Sequence, residues 1–83
     1  MQISVYTTSN CVQCDMTKRT MTKYGIRYDE IALEQHPELI ERFKELGLMS
    51  APIVITDTKK WSGFRLDKIK SLSNYLFSEL KDD

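Results

Sequence analysis

A continuous apolar run in mid-chain sets the strongest limit on the fold. The run is Pro52-Ile53-Val54-Ile55, which is typical of a strand buried on both faces of a sheet. Such a strand requires helices packed on each side. The chain has 83 residues and no visible linker, repeat or low-complexity tract, so we expect a single domain over 1–83 with one modest core.

Periodic patterns predict the remaining elements. Three further strands are predicted at Gln2–Tyr6, at Ile26–Leu33 on a sheet edge where charge is tolerated, and at Lys60–Ser62. Three helices are predicted from apolar stripes: Cys14, Thr17, Met21 and Tyr24; Leu39, Ile40, Phe43 and Leu46; Ile69, Leu72, Leu76 and Leu80. The order β-α-β-α-β-β-α, with a right-handed parallel first unit and a closing hairpin, predicts an α/β fold with a mixed four-stranded sheet flanked by three helices.

A pair of cysteines lies where a polar loop leads into the first helix. At a helix start, unpaired N–H groups and the helix dipole favour negative charge, so we expect a lowered pKa for Cys11. Cys14 lies one turn further in and should be less exposed, with a higher pKa. This asymmetry predicts that Cys11 attacks a target disulfide and that Cys14 then attacks Cys11 and releases the reduced target.

Other uses of the pair are less consistent with the sequence. A structural zinc site usually needs four ligands, whereas His36 is the only other histidine or cysteine and lies in a different segment. We therefore predict no metal site. Asp15 should raise the pKa of the cysteines, while Lys18 and Arg19 should oppose this effect.

The dipeptide Ala51-Pro52 is the second candidate site element. In this topology the start of the third strand faces the end of the first, beside the cysteines. By fold analogy we predict a cis peptide bond there. The exposed backbone of Ala51 could then pair with an extended target peptide that presents its disulfide to Cys11.

The charge balance and the N-terminus limit the partners and the location. Lys plus Arg and Asp plus Glu number 12 each, which argues against nucleic-acid binding and gives no attraction to a membrane surface. There is no basic, apolar leader and no apolar stretch near the ~20 residues of a membrane span. We expect a cytoplasmic protein, and in that compartment a cysteine pair is more often catalytic or metal-bound than structural.

Three segments together resemble the NrdH-redoxins across essentially the whole chain. They are Cys11-Val12-Gln13-Cys14, Ala51-Pro52 and Trp61-Ser62-Gly63-Phe64-Arg65. The resemblance implies a thioredoxin-like fold in which Cys11 and Cys14 are the redox pair. It implies that the partner-binding residues are Val12, Gln13, Ala51, Pro52, Trp61, Ser62, Gly63, Phe64 and Arg65.

The resemblance also implies partners. Members of the family take NADPH electrons from the flavoprotein thioredoxin reductase and pass them to the large subunit of class Ib ribonucleotide reductase, for deoxyribonucleotide synthesis. We expect a monomer without a bound cofactor. The chain departs from the family at Leu66, where a proline is usual, and this departure affects the expected shape of the neighbouring segment.

Several alternatives stay open at this stage. A glutathione-dependent glutaredoxin would typically carry C-P-Y-C and a late Gly-Gly-Asp, which this chain lacks; Asp67 is nearby but out of register. A metal or iron–sulfur carrier and a thiol-based regulator of the Spx type are the other two. Trp61 and Phe64 could simply pack against the last helix, and Arg65 could be a structural hydrogen-bond donor.

Overall fold

Eight short elements build the molecule, which a computed structural model describes over residues 2–81, with side chains over 2–77. In chain order they are β1 (Ser4–Thr7), α1 (Val12–Lys23), β2 (Asp29–Ala32), a 3₁₀ turn (Leu33–Gln35), α2 (Pro37–Glu45), β3 (Ile53–Ile55), β4 (Lys60–Ser62) and α3 (Leu66–Lys81). The predicted order of strands and helices is confirmed, with the 3₁₀ turn as an addition.

The four strands form one mixed sheet in the order β2-β1-β3-β4. β1 pairs with β2 in parallel, and β3 pairs in antiparallel fashion with both β1 and β4. Tyr6 at the end of β1 lies opposite Ile53 at the start of β3. The predicted parallel unit, closing hairpin and edge position of β2 are therefore confirmed.

The central strand β3 contributes to cores on both faces of the sheet, as its apolar run predicts. On one face Val54 packs with β1, β4, α1 and α3, in a cluster that includes Val5, Met21, Trp61 and Ile69. On the other face Ile53 packs in a second cluster with Leu33, Phe43 and Leu48. One sheet with helices on both sides is thus built around a single strand of three residues.

Helix α1 follows its predicted stripe. Cys14, Thr17 and Met21 are its buried residues, and the residue after the helix, Tyr24, packs against the core. The chain leaves the helix through Gly25, whose φ of +71° is a left-handed conformation that glycine adopts without strain.

Some predicted boundaries are wrong. β2 begins at Asp29 rather than at Ile26, because the Ile26 N–H group still donates to the Met21 carbonyl, 2.9 Å away, and closes the end of α1. In α2 the predicted stripe is only partly buried: Phe43 is inside, while Leu46, which follows the helix, is 45% exposed. Leu80 was predicted to lie on the apolar stripe of the last helix, but its side chain lies outside the part of the chain for which side chains are described.

Within the described part of the chain, no helix is both long and apolar enough to cross a membrane.

Candidate redox site

Cys11 and Cys14 are joined by a disulfide at the start of α1. Cys11 is the N-cap of the helix, with an extended backbone, and its Sγ atom accepts a hydrogen bond from the Cys14 N–H group at 3.1 Å. The sulfur therefore takes the place of the Ser or Asp oxygen that usually caps a helix. A thiolate at Cys11 would be stabilised by the same N–H group and by the helix dipole.

The two sulfurs differ in their access to solvent. Cys11 is partly exposed, whereas Cys14 is 1% exposed and belongs to the buried stripe of α1. The predicted difference in exposure is therefore confirmed. An incoming disulfide can reach Cys11 from solvent, but it cannot reach Cys14 directly.

The loop before the pair is held by contacts that the sequence does not predict. Asn10 has a φ of +55°, a left-handed conformation that asparagine tolerates better than most residues. The Ser9 N–H and hydroxyl groups both donate to one carboxylate oxygen of Glu34, at 3.2 and 2.8 Å. An asparagine directly before the N-cap was the one sequence signal for this turn.

The Ala51–Pro52 peptide bond is cis, as predicted. The Ala51 carbonyl oxygen lies 3.7 Å from Cys11 Sγ, so this dipeptide borders the disulfide directly. The Pro52 side chain is fully buried. A partner could therefore not contact the Pro52 side chain and would meet only the backbone that Pro52 positions. The Ala51 side chain is partly exposed.

The segment from Trp61 to Arg65 connects the other two site elements. The Gly63 N–H group donates to the Pro52 carbonyl at 2.8 Å, and the Phe64 N–H group donates to Gln13 Oε1 at 3.0 Å. Gly63 has a φ of +81°, and a Cβ atom there would lie 3.3 Å from Gln13 Oε1. This segment therefore contacts both of the other predicted segments, through Pro52 and through Gln13.

Not every residue of this segment faces outward. Trp61, which the resemblance places among the partner-binding residues, has a side chain that is 4% exposed and packs in the core between β4 and the helices. Its Nε1 atom has no hydrogen-bond partner among the described residues. Phe64 is partly buried against the same core, and Ser62 is partly exposed.

Arg65 makes a structural ion pair. Its guanidinium group donates from two nitrogens to both carboxylate oxygens of Asp67, at 3.2 and 2.9 Å. These hydrogen bonds raise the pKa of Arg65 and lower that of Asp67. Arg65 therefore serves as a structural hydrogen-bond donor to Asp67, which is one of the two roles that its sequence context leaves open.

A group of charged side chains joins α1 to the edge strand β2. Lys18 Nζ lies 3.0 Å from a Glu30 carboxylate oxygen and 3.8 Å from Asp15. The Thr7 hydroxyl donates to the same Glu30 oxygen at 3.0 Å. The hydrogen bond from Lys18 and then that from Thr7 lower the pKa of Glu30, while the bond to Glu30 raises that of Lys18. The positive charge expected to offset Asp15 is thus mainly engaged by Glu30.

A small apolar groove of about 150 Å³ adjoins Ala51. Its lining includes Ile40, Phe43, Leu48 and Met49. Met49 is 73% exposed at the groove, and on the helix start Val12 is 72% exposed. One exposed apolar side chain, Val12, therefore lies between the two cysteines in sequence, and a second, Met49, lines the groove that adjoins Ala51.

The described residues do not group three His, Cys, Asp or Glu side chains as a metal site requires. His36 lies at the start of α2, 3.5 Å from a Glu38 carboxylate oxygen. It is the N-cap residue of that helix.

Comparisons with known proteins agree with this geometry. A glutaredoxin family model matches residues 3–61. The glutaredoxin-like protein NrdH of Lactococcus lactis subsp. lactis is 35% identical over 71 residues, which are 86% of this chain and 99% of the relative. NrdH of Escherichia coli is 40% identical over 72 residues, which are 87% of this chain and 89% of the relative.

A solved structure points the same way. The NrdH-redoxin of Escherichia coli superposes with a TM-score of 0.82 at 40% identity and covers 87% of this chain and 95% of its own. The thioredoxin-like fold and the disulfide at the start of α1 define a glutaredoxin-like thiol–disulfide oxidoreductase. Within that class, the chain belongs to the NrdH-redoxin family.

Proposed function

We propose that this protein is a dithiol electron carrier that thioredoxin reductase reduces with NADPH electrons and that supplies class Ib ribonucleotide reductase. The observation that carries the proposal is the disulfide itself, which pairs a capped, partly exposed Cys11 with a buried Cys14 in an NrdH-redoxin. The cytoplasm, where both partners work on deoxyribonucleotide synthesis, is the proposed location. No cofactor is proposed to stay bound, because the electrons come from a flavoprotein.

The cysteine geometry supports one order of steps. In the reduced protein the Cys11 thiolate, stabilised by the Cys14 N–H group, attacks a sulfur of the target disulfide, and the other target sulfur leaves as a thiolate. Cys14 then attacks Cys11 Sγ, the bond to the target breaks, and the second target thiolate leaves. The target gains two electrons, the protein is left with the Cys11–Cys14 disulfide, and the reductase reopens it.

The environment of Asp67 supports a thioredoxin-like rather than a glutathione-dependent route. A glutaredoxin typically binds the amino group of glutathione with an aspartate after Gly-Gly, where this chain has Phe64 and Arg65. The nearby Asp67 has both carboxylate oxygens engaged by Arg65. The NrdH-redoxin of Escherichia coli is described as having a thioredoxin-like activity profile, and we extend that profile to this protein.

Turnover assays with two electron sources test the proposal. The protein is incubated with class Ib ribonucleotide reductase and substrate, either with NADPH and thioredoxin reductase or with NADPH, glutathione and glutathione reductase. We expect NADPH consumption and deoxyribonucleotide formation with the first source and little with the second. Turnover with glutathione alone would instead identify a glutathione-dependent glutaredoxin.

Two further measurements close the remaining alternatives. Purified protein should show two titratable thiols after reduction, with no bound metal and no visible absorbance from an iron–sulfur cluster. Bound metal in stoichiometric amount would favour a carrier function instead. Turnover by the Cys11→Ser variant would also contradict the proposal.

A further inference from the structure

One buried hydroxyl next to the redox pair has no hydrogen-bond partner. Thr17 in α1 is 0% exposed, and its Oγ1 atom makes no hydrogen bond to any described residue. Buried polar groups in proteins are nearly always paired, and an exception calls for an explanation. Because Thr17 belongs to the buried stripe that contains Cys14, the redox state of the pair offers one.

Helix geometry directs the Thr17 side chain toward Cys14. Residues three apart lie on the same helix face, with Cβ atoms about 5–6 Å apart, and each side chain leans toward the N-terminus of its helix. Thr17 therefore covers the turn that holds Cys14. A helical threonine often bonds the carbonyl four residues earlier: Thr20 does so, to the Met16 oxygen at 2.7 Å, but Thr17 does not.

Reduction changes the acceptor strength of Cys14 Sγ, because a thiolate accepts a hydrogen bond much more strongly than a neutral disulfide sulfur does. Cys14 Sγ is bonded to Cys11 and accepts no hydrogen bond from the described residues. Reduction turns Cys14 into a buried thiol or thiolate that water hardly reaches, since the residue is 1% exposed. Cys11 already has the Cys14 N–H group as a donor, whereas Thr17 is the unpaired donor on the Cys14 face of α1.

We propose that Thr17 is a positioning residue whose hydroxyl donates to Cys14 Sγ once the disulfide is reduced. The bond favours the Cys14 thiolate, which attacks Cys11 Sγ as the Cys11–target bond breaks, so that the target leaves with the electron pair. The inference rests on the proposed role of Cys14 as the resolving cysteine.

The charged groups around Cys14 stay the same in the variants described below, so only the hydrogen bond from Thr17 changes. The buried side chains that β1, β3, β4 and α3 contribute to this core are apolar or neutral. The ionised groups at its rim are Asp15 and Lys18 on α1 and Glu30 on β2, which pairs with Lys18. All three are retained in the variants below.

A single-turnover reaction with an aromatic disulfide that releases a coloured thiol tests the inference. The reduced protein should give two phases, one for attack by Cys11 and a second for resolution by Cys14. Removing the hydroxyl in Thr17→Val should raise the pKa of Cys14 by about one unit, which is the size of one hydrogen bond. The thiolate fraction falls about tenfold, but a more basic thiolate is a better nucleophile, so the second phase slows about threefold near pH 7.

Matched variants separate this effect from a structural one. Thr20→Val removes a hydroxyl that already has a partner and should leave the second phase unchanged, and Thr17→Ser should restore it. The pH profile of the second phase should shift upward by about one unit in Thr17→Val alone. A Thr17→Val protein with an unshifted profile, or with both phases slowed equally, would overturn the inference. Absence of a second phase in the unmodified protein would instead overturn the proposed role of Cys14.

Discussion

Replacing Gly63 by alanine should destabilise the protein through two separate effects. The first is the backbone, because a φ of +81° is left-handed and costs an alanine about 1–2 kcal/mol. The second is contact, because the new Cβ atom would lie 3.3 Å from Gln13 Oε1, which accepts the hydrogen bond from Phe64. Displacing that oxygen weakens a bond worth about 0.5–1.5 kcal/mol. The expected loss in free energy of unfolding is therefore about 1.5–3.5 kcal/mol.

Gly47 offers a matched control. Its φ is +78°, but a Cβ atom there would meet nothing within 4 Å, so Gly47→Ala carries the backbone effect alone. Urea unfolding of the oxidised protein can be followed by the fluorescence of Trp61, the single tryptophan, which is 4% exposed in the core. We expect Gly63→Ala to lose roughly 0.5–1.5 kcal/mol more than Gly47→Ala.

A double-mutant cycle completes this test. In a Gln13→Ala background the contact is gone, so Gly63→Ala should cost no more than Gly47→Ala. Equal losses for the two glycines in the unmodified background, with strict additivity in the cycle, would refute the packing of Gln13 against Gly63. The same result would show that Gln13 does not hold the start of α1 against the segment before α3.

Three further predictions concern the surroundings of the site. Leu66→Pro should raise the free energy of unfolding by about 0.4–1 kcal/mol in urea titrations, because Leu66 is the first residue of α3 and proline presets that position; a loss would show that Leu66 itself stabilises the segment. Glu30→Gln should reduce stability at neutral pH by less than about 1 kcal/mol, as the pair with Lys18 is exposed. Because the pKa of Glu30 is lowered in the folded protein, this difference should persist above its ordinary value of 4.5 and disappear as pH falls through the lowered pKa; a difference that grows in acid would contradict the pairing. Asp67→Asn, which breaks the pair with Arg65, should not create glutathione-dependent turnover. Activity of that variant with glutathione and glutathione reductase would contradict the proposal that thioredoxin reductase is the electron source.

Local sequence signals were sufficient for most of the fold. The apolar run at β3 and the stripe of Cys14, Thr17 and Met21 each predicted which face is buried, because period and burial are directly connected in strands and helices. Boundaries were less predictable. An apolar residue such as Ile26 fits either a strand or the turn that closes a helix, so the sequence does not distinguish them. The hydrogen bond from Ile26 to Met21 places Ile26 in the closing turn.

The site was predictable where chemistry depends on chain position and unpredictable where it depends on tertiary contacts. A helix start stabilises a thiolate by its position alone, so Cys11 could be predicted as the exposed member of the redox pair from the sequence. The burial of Trp61 could not, since an aromatic residue before a helix serves packing or binding equally well. The bond from Phe64 to Gln13 joins residues 51 positions apart and left no local signal.

The most direct test of the account is to trap the intermediate that the unequal cysteines imply. Each variant with one cysteine replaced by serine is reduced and mixed with oxidised ribonucleotide reductase. The products are separated without reductant, and the cross-linked peptide is sequenced by mass spectrometry. Cys14→Ser should accumulate a mixed disulfide joined through Cys11, and Cys11→Ser should form none. A Cys14→Ser protein that turns over repeatedly without glutathione, or a cross-link through Cys14 in Cys11→Ser, would contradict it.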